Sequence, residues 1–255
     1  MANANDHRQV MTISALFDEH THPFEGSALT SVVNTFENLD NQGHGAKIEA
    51  ISMMPIFYLL TFPWLNGLDY KNFSSQMTRE TNLMALSRDK YSGRVFPDPT
   101  DGRVRVDYNT SPFDRKLNLE AIIGAIKIAY VSGAREIRVG YPDLPPFIRQ
   151  AGDTGSDGAN NRALQEFIAE FRSKSPLSRD TNYFSAHQMG SCRMGVSPRM
   201  SVVDPSCRVW GTRGLYVMDA SVFPSASGAN PMLTNMGIAD WASRNLANSI
   251  QAARL

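Results

Sequence analysis

Ser185-Ala-His187-Gln-Met-Gly190-Ser-Cys-Arg-Met-Gly195 and, about forty residues after its histidine, Ala226-Ser-Gly228-Ala-Asn230-Pro231-Met232 organise this chain. Between them runs the strand-like Gly214-Leu-Tyr-Val-Met-Asp219-Ala220. One histidine stands in a glycine-bracketed loop, and an Asn-Pro pair opens a helix. A strand, a tight loop and a helix start together form a ligand site.

The chemistry follows from residue types. A histidine titrates near neutral pH, so His187 can take a proton from a hydroxyl and later return it. Asn230 offers a donor and an acceptor without charge, which suits holding the same hydroxyl oxygen. Pro231 is favoured in a first helical turn, and Met232, Met236, Ala239, Ala242, Leu246 and Ile250 recur at steps of three or four. The spacing predicts an amphipathic helix of about five turns. Its N-terminus carries roughly half a positive charge and favours an anion in front of it. A base, a hydroxyl clamp and an anion-stabilising helix end suit alcohol oxidation by hydride transfer to an organic acceptor.

His187-Gln-Met-Gly-Ser-Cys-Arg-Met-Gly, Val203-Asp-Pro, Arg208-Val-Trp-Gly211, Gly214-Leu-Tyr-Val-Met-Asp219-Ala-Ser-Val-Phe-Pro224 and Gly228-Ala-Asn230-Pro231 follow one another in order. Together they resemble the C-terminal signature of the glucose–methanol–choline oxidoreductases, in wording nearest to the long-chain alcohol oxidase branch. The resemblance is densest over 183–250 and looser from about Tyr91. It implies that His187 is the catalytic base beside a flavin and that Asn230 helps hold the substrate oxygen. It further implies that Asp219 and Ala220 lie against the phosphates and ribityl chain of FAD, with Asn230, Pro231 and Met232 near the flavin ring. The flavin carries the chemistry, and the protein supplies position and electrostatics.

One part of the family pattern is missing. Members begin with a strand, a G-x-G-x-x-G turn and a helix that bind the ADP half of FAD, and no such match occurs here. Gly152-Asp-Thr-Gly155-Ser-Asp-Gly158 has the wrong spacing and no apolar strand before it. The chain therefore resembles the C-terminal half of such an enzyme, with an N-terminal FAD-binding half expected elsewhere.

Composition sets the background. With 42% hydrophobic residues and a net charge of zero, the 255 residues describe an ordinary globular protein with no basic patch for nucleic acid. Cys192 and Cys207 are too few for a disulfide framework and read as free thiols. Met1–Asp6 is polar and resembles neither a signal nor a transit peptide. The sequons Asn72-Phe-Ser74 and Asn109-Thr-Ser111 read as chance matches. His20, His22 and His44 lack acidic or cysteine partners at ligand spacing, so no metal is expected.

The remaining stretches predict elements. Val10–Phe17 reads as a short buried strand. Ala50–Leu68 is nineteen residues without a charge, the length of a membrane span, but Pro55, Pro63, Asn66 and Gly67 break it. Buried helix pieces, plain core and an apolar lid over a lipid channel remain open readings, and Met and aromatic residues serve all three. Gly93–Phe96 and Arg103–Tyr108 alternate around a Pro/Asp/Gly turn, as a hairpin with Val104 and Val106 on one face. Leu119, Ile122, Ile123, Ile126 and Ala129 form a helical stripe closed by Gly133, and Glu136–Gly140 returns as a strand. Gly152–Asn161 reads as a surface loop, and Leu164, Phe167, Ile168 and Phe171 share one face of a further helix. Tyr183 and Phe184 are expected to wall the pocket. Arg193 reads as a cofactor contact or a structural ion pair, and Ser191 lies in no nucleophile elbow.

The expected fold is α+β, an antiparallel sheet with helices packed on it, plus a C-terminal strand, loop and helix that would complete a Rossmann-like FAD domain. Residues 1–90 are expected to form a helical and loop region, 91–182 a substrate-binding domain, and 183–255 the catalytic and FAD-contacting segment. The function expected is FAD-dependent oxidation of long-chain aliphatic alcohols to aldehydes, with oxygen as acceptor. The alternatives are a module that is incomplete without a separate FAD-binding half and a lipid-binding interaction protein. Ala253-Arg254-Leu255 is a small-basic-leucine terminus related to the Ser-Lys-Leu peroxisomal address.

Overall fold

The computed structural model describes residues 5–6, 10–25, 30–55, 59, 66–141, 143–174 and 184–252 of the chain. Two compact units interleave along the sequence: one comprises Gln9–Ser87 with Pro112–Phe184, the other Met1–Arg8, Arg88–Ser111 and Ser185–Leu255. Each is described on its own below.

In chain order the strands are β1 (Asn5–Asp6), β2 (Val10–Leu16), β3 (Val32–Val33), β4 (Ala46–Ala50), β5 (Glu80–Ser87), β6 (Arg94–Pro97), β7 (Val104–Asp107), β8 (Glu136–Val139), β9 (Phe147–Ile148) and β10 (Gln188–Met189). The helices are α1 (Gly67–Ser75), α2 (Pro112–Val131), α3 (Arg162–Lys174) and α4 (Met232–Ala252). The α+β class read from the sequence holds, with every ladder in the sheets antiparallel.

The first unit is a six-stranded sheet in the order β3-β4-β5-β2-β8-β9. Met11, Ile13, Ala15, Ala46, Ile48, Ala85 and Ile137 point to one face, which α2 and α3 help to cover. On α2, Ile122, Ile126, Ala121, Ala125 and Ala129 are buried. Each fully buried Ile contributes about 1.5–3 kcal/mol relative to exposure, and the alanines between them admit the close approach. Gly133, at φ +94°, ends the helix: its amide bonds the Tyr130 carbonyl and that of Ala134 bonds Ala129, a Schellman closure. The expected stripe and stop are both present. On α3, Leu164, Phe167, Ile168 and Phe171 are the buried residues, as their spacing predicts.

Residues before 90 correct the sequence reading. They supply β2 through β5 in place of the helical and loop region expected there. Val10–Leu16 is the anticipated strand, but β4 and β5 were not foreseen. The reason lies on the sheet's second face, where Thr12, Ser14, Glu49, Glu80 and Asn82 are polar yet buried, so no simple alternation marks the strands. Ser14 donates to Glu80 across 2.8 Å on that face. Arg138 joins it, paired with Glu136 and, at 3.6 Å, with Asp69 of α1, its guanidinium 5.4 Å from the Phe73 ring centre.

Most of the apolar stretch 50–68 lies outside the described residues. Its end starts a helix: Asn66, expected as a breaker, caps α1 by accepting from the amides of Leu68 and Asp69, each at 3.0 Å. Among the described residues no helix is long and apolar enough to cross a membrane.

The Gly152–Asn161 loop is anchored from within. Tyr130, fully buried, donates to both oxygens of Asp153 at 2.9 and 2.7 Å, and Arg149 stacks 4.0 Å over the Tyr130 ring. Asn161 then caps α3 through the amide of Leu164.

In the second unit β6 and β7 form the expected hairpin, with Val95 opposite Val106. Val104 and Val106 do share a face, but it is exposed. The strand expected at Gly214–Ala220 is corrected: the stretch makes a single bridge, Tyr216 to Arg208, flanked by the bonds from the Val209 amide to Leu215 and from the Val217 amide to Cys207, with no ladder beyond them among the described residues. Helix α4 runs its expected course. Ile238 and Ala242 pack inward, whereas Met232, Met236 and Ile250 of the predicted stripe face outward.

Candidate active site

His187 immediately precedes β10, whose residues pair with β1 through Asn5 to Met189 and Asp6 to Gln188. Past β10 the chain turns at Gly190, where φ is +80°, a conformation costly for any side chain with a Cβ. The turn aligns three amides on one neighbouring segment. Gly190 donates to Ala220 at 3.2 Å, Cys192 to Ser221 at 2.8 Å and Met194 to Val222 at 2.8 Å. Met189, Val222 and Phe223 are buried beneath this zipper. His187, half-buried, is thus tied through backbone to the segment carrying Asp219 and Ala220. Asp219 itself is exposed, and its carboxylate accepts from the Ser221 amide at 2.8 Å, starting a short turn of helix at Ala220–Val222.

Asn230, Pro231 and Met232 reach the same unit on a second loop. Ser227 donates through its hydroxyl to the Ala229 carbonyl at 2.7 Å, and Arg88 donates through Nε to that of Ala226 at 3.2 Å. The Asn235 amide closes the first turn of α4 on the Pro231 carbonyl at 2.8 Å. Pro231 is buried, Asn230 half-buried and Met232 67% exposed, so the N-terminal end of α4 is open.

Much of the signature is scaffold. A Cβ on Gly195 would lie 2.9 Å from that of Ser201. Ser201 Oγ accepts from the Trp210 indole at 2.9 Å and donates to Ser197 at 2.8 Å, which accounts for the tryptophan. Asp204 accepts from the amides of Ser206 and Arg208 at 2.8 and 3.1 Å, fixing the bend in which Cys207 sits at φ +65°. Burial pushes the Cys207 thiol pKa up, with the Asp204 charge adding to it. Neither cysteine is in a disulfide. The Arg193 carbonyl accepts from Val202 at 3.0 Å, a structural use of that residue's backbone. Tyr183 lies outside the described residues; Phe184 is half-buried.

Two observations bear on whether these residues fit a flavin. The leading amides of an α-helix have no intrahelical acceptor, and at α4 they sit beside exposed Met232 and Leu233. Asn235, one turn in, has a buried Oδ1 without a hydrogen-bond partner. Amide donors at a positive helix end suit the acceptor atoms of a flavin ring. The set fits.

Among the described residues no group of three or more His, Cys, Asp or Glu can hold a metal ion. His20 bonds Thr78 at 2.9 Å, and His44 pairs with Asp40 at 2.8 Å. An open groove of about 310 Å³ lined by Asp204, Arg208, Tyr216, Ala242 and Leu246 runs beside α4, and it contains none of the expected site residues. Sequence reading missed Arg88 and Asn235. A lone arginine after a strand and an asparagine inside a helix carry no local signal.

The family model described as GMC oxidoreductase matches residues 89–239. A long-chain-alcohol oxidase of Arabidopsis thaliana, FAO3, is 32% identical over 232 residues, 89% of this chain and 29% of that protein. Choline oxidase of Arthrobacter globiformis is 32% identical over 130 residues, 51% of this chain and 21% of that protein. The chain spans less than a third of the length of these curated relatives. Among solved structures, pyridoxine 4-oxidase from Mesorbium loti superposes with TM-score 0.54 at 17% identity, covering 93% of this chain and 43% of the other. A formate oxidase gives 0.55 at 13%, covering 95% and 46%. At such identities these two establish likeness of fold.

Proposed function

This chain belongs to the GMC oxidoreductase family, and we propose on that footing that it is the substrate-side and proton-transferring part of an FAD-dependent alcohol oxidase. The donor is a long-chain primary alcohol, the product its aldehyde, and oxygen the final acceptor. The observation that carries the reading is the backbone zipper from Gly190, Cys192 and Met194 to Ala220, Ser221 and Val222, which fixes the His187 segment against Asp219 and Ala220.

The His187 imidazole takes the hydroxyl proton of the alcohol as the carbinol C–H bond breaks. Asn230 holds the same oxygen, so the developing alkoxide is oriented before the proton has fully left. Asp219, Ala220, Asn230, Pro231 and Met232 would hold FAD, and the N-terminal end of α4 would favour negative charge in front of it. When bound, FAD supplies the acceptor for the hydride leaving the carbinol carbon. Residues 183–255 serve the chemistry.

A second reading, a module that turns over only with a separate FAD-binding partner, is favoured by the short share of its relatives that the chain spans. The visible spectrum of the purified chain, before and after anaerobic addition of dodecan-1-ol, separates them. A flavin band that bleaches supports oxidation by this chain. A chain without flavin that gains bleaching only on adding an FAD-binding half supports the module, and a flavin-loaded protein that the alcohol leaves oxidised rejects alcohol oxidation.

A further inference from the structure

We infer that Arg88 is a positioning residue for Asn230, acting through the loop 226–230; the inference rests on the role proposed above for Asn230. Arg88 lies about 140 residues away in sequence and directly follows β5. Its Nε–H donates to the Ala226 carbonyl at 3.2 Å. Its stem fills the space a side chain at Gly228 would need: a Cβ there would lie 3.0 Å from Cδ and 3.4 Å from Cβ and Cγ of Arg88. Gly228 holds φ +63°, in the left-handed region. One residue thus both bonds the start of the loop and packs under its bend.

The arginine is itself held in place. The next residue, Asp89, is buried and accepts from the Tyr108 hydroxyl at 2.6 Å, which pins the backbone that carries Arg88. Beyond the bend, Ser227 bonds the Ala229 carbonyl and α4 begins one residue after Pro231. Asn230 therefore stands between two fixed points, the Arg88-braced turn and the first turn of α4. A guanidinium directs its donors in a rigid fork, which an ammonium on a flexible stem does not reproduce. Reacting groups misplaced by about 1 Å lose on the order of a hundredfold in rate, and a loop freed at Ala226 and Gly228 moves Asn230 on that scale.

The test uses the flavin-loaded, full-length protein that contains this chain, reduced anaerobically by dodecan-1-ol in a stopped-flow instrument. Arg88→Ala is expected to lower the limiting rate of flavin reduction about ten- to a hundredfold, with the apparent Kd for the alcohol changing less than about threefold. Arg88→Lys, which keeps the stem and the charge but not the fork, is expected to fall between. In an Asn230→Ala background Arg88→Ala is expected to cost less than about threefold more, because both changes disable one device. Multiplying effects, or a reduction rate within about twofold of the parent, would overturn the inference. Hydrogen exchange provides an arm independent of turnover. Peptides spanning 226–230 are expected to exchange at least about tenfold faster in Arg88→Ala while those of α2 do not change, since local opening responds to lost local contacts. Unchanged exchange at 226–230 would overturn the inference as well. If dodecan-1-ol does not reduce the parent flavin, the alcohol-oxidase reading fails and the exchange arm alone decides the role of Arg88.

Discussion

The amide of Gly190 donates to the carbonyl of Ala220 across 3.2 Å, and this bond sets the histidine-bearing segment against the aspartate-bearing one. Gly190 is three residues after His187 and Ala220 one after Asp219, so the bond joins the two halves of the signature. The amides of Cys192 and Met194 extend it in register.

If His187 is the base, His187→Ala lowers the rate of flavin reduction by alcohol about two to four orders of magnitude, the usual scale for a positioned general base. Flavin content stays at the parent level, because the zipper is made of backbone. An unchanged rate would remove His187 from the reaction.

Gly124, in the middle of α2, faces the ring of Phe36. A Cβ there would lie 2.5 Å from Cε2 and Cζ of Phe36 and 3.2 Å from Ile48 Cδ1. Alanine favours a helix over glycine by about 1 kcal/mol, whereas overpacking costs about 1–3 kcal/mol. Gly124→Ala is therefore expected to destabilise by up to about 2 kcal/mol against the propensity scale. Urea unfolding checks the sign, and a stabilised variant would show that Phe36 moves aside freely.

The Tyr130 hydroxyl, with the Gly155 amide second, holds the Asp153 carboxyl below the usual carboxylate range. A depressed pKa contributes stability above the unfolded value of 3.8 and loses it as the pH falls through the folded one. Tyr130→Phe keeps the ring under Arg149 but removes the donor. Its deficit in thermal midpoint should be constant from neutral pH down to about 4 and shrink below that. A deficit that grows on acidification would contradict the assignment.

Cys207 is buried with its thiol pKa raised, while Cys192 is partly exposed. A maleimide at pH 7 should modify one thiol of the folded protein within minutes and the second only on unfolding, since the thiolate is the reactive form. Peptide mass mapping identifies which. Modification of Cys207 first would mean that the turn set by Asp204 opens readily.

Local chemistry made several elements legible in the chain. The stripe Ile122, Ile126 and Ala129 with its glycine stop, the hairpin around Pro97–Gly102, the face Leu164–Phe171 and the order of motifs from His187 to Pro231 all depend on residues a few positions apart. The rest follows from contacts between distant segments. Strands β4 and β5 were hidden because Glu49, Glu80 and Asn82 are polar on a buried face, so periodicity failed where burial and polarity part company. The exposed side of α4 and the brace of Ala226 by Arg88 depend on which distant segments meet, and chain connectivity does not encode that in any local pattern. Scaffold and candidate chemistry are likewise mixed within one signature. Gly195, Ser201 and Trp210 hold one another, while Asp219 and Met232 stand exposed, and packing separates these two kinds of residue where sequence spacing could not.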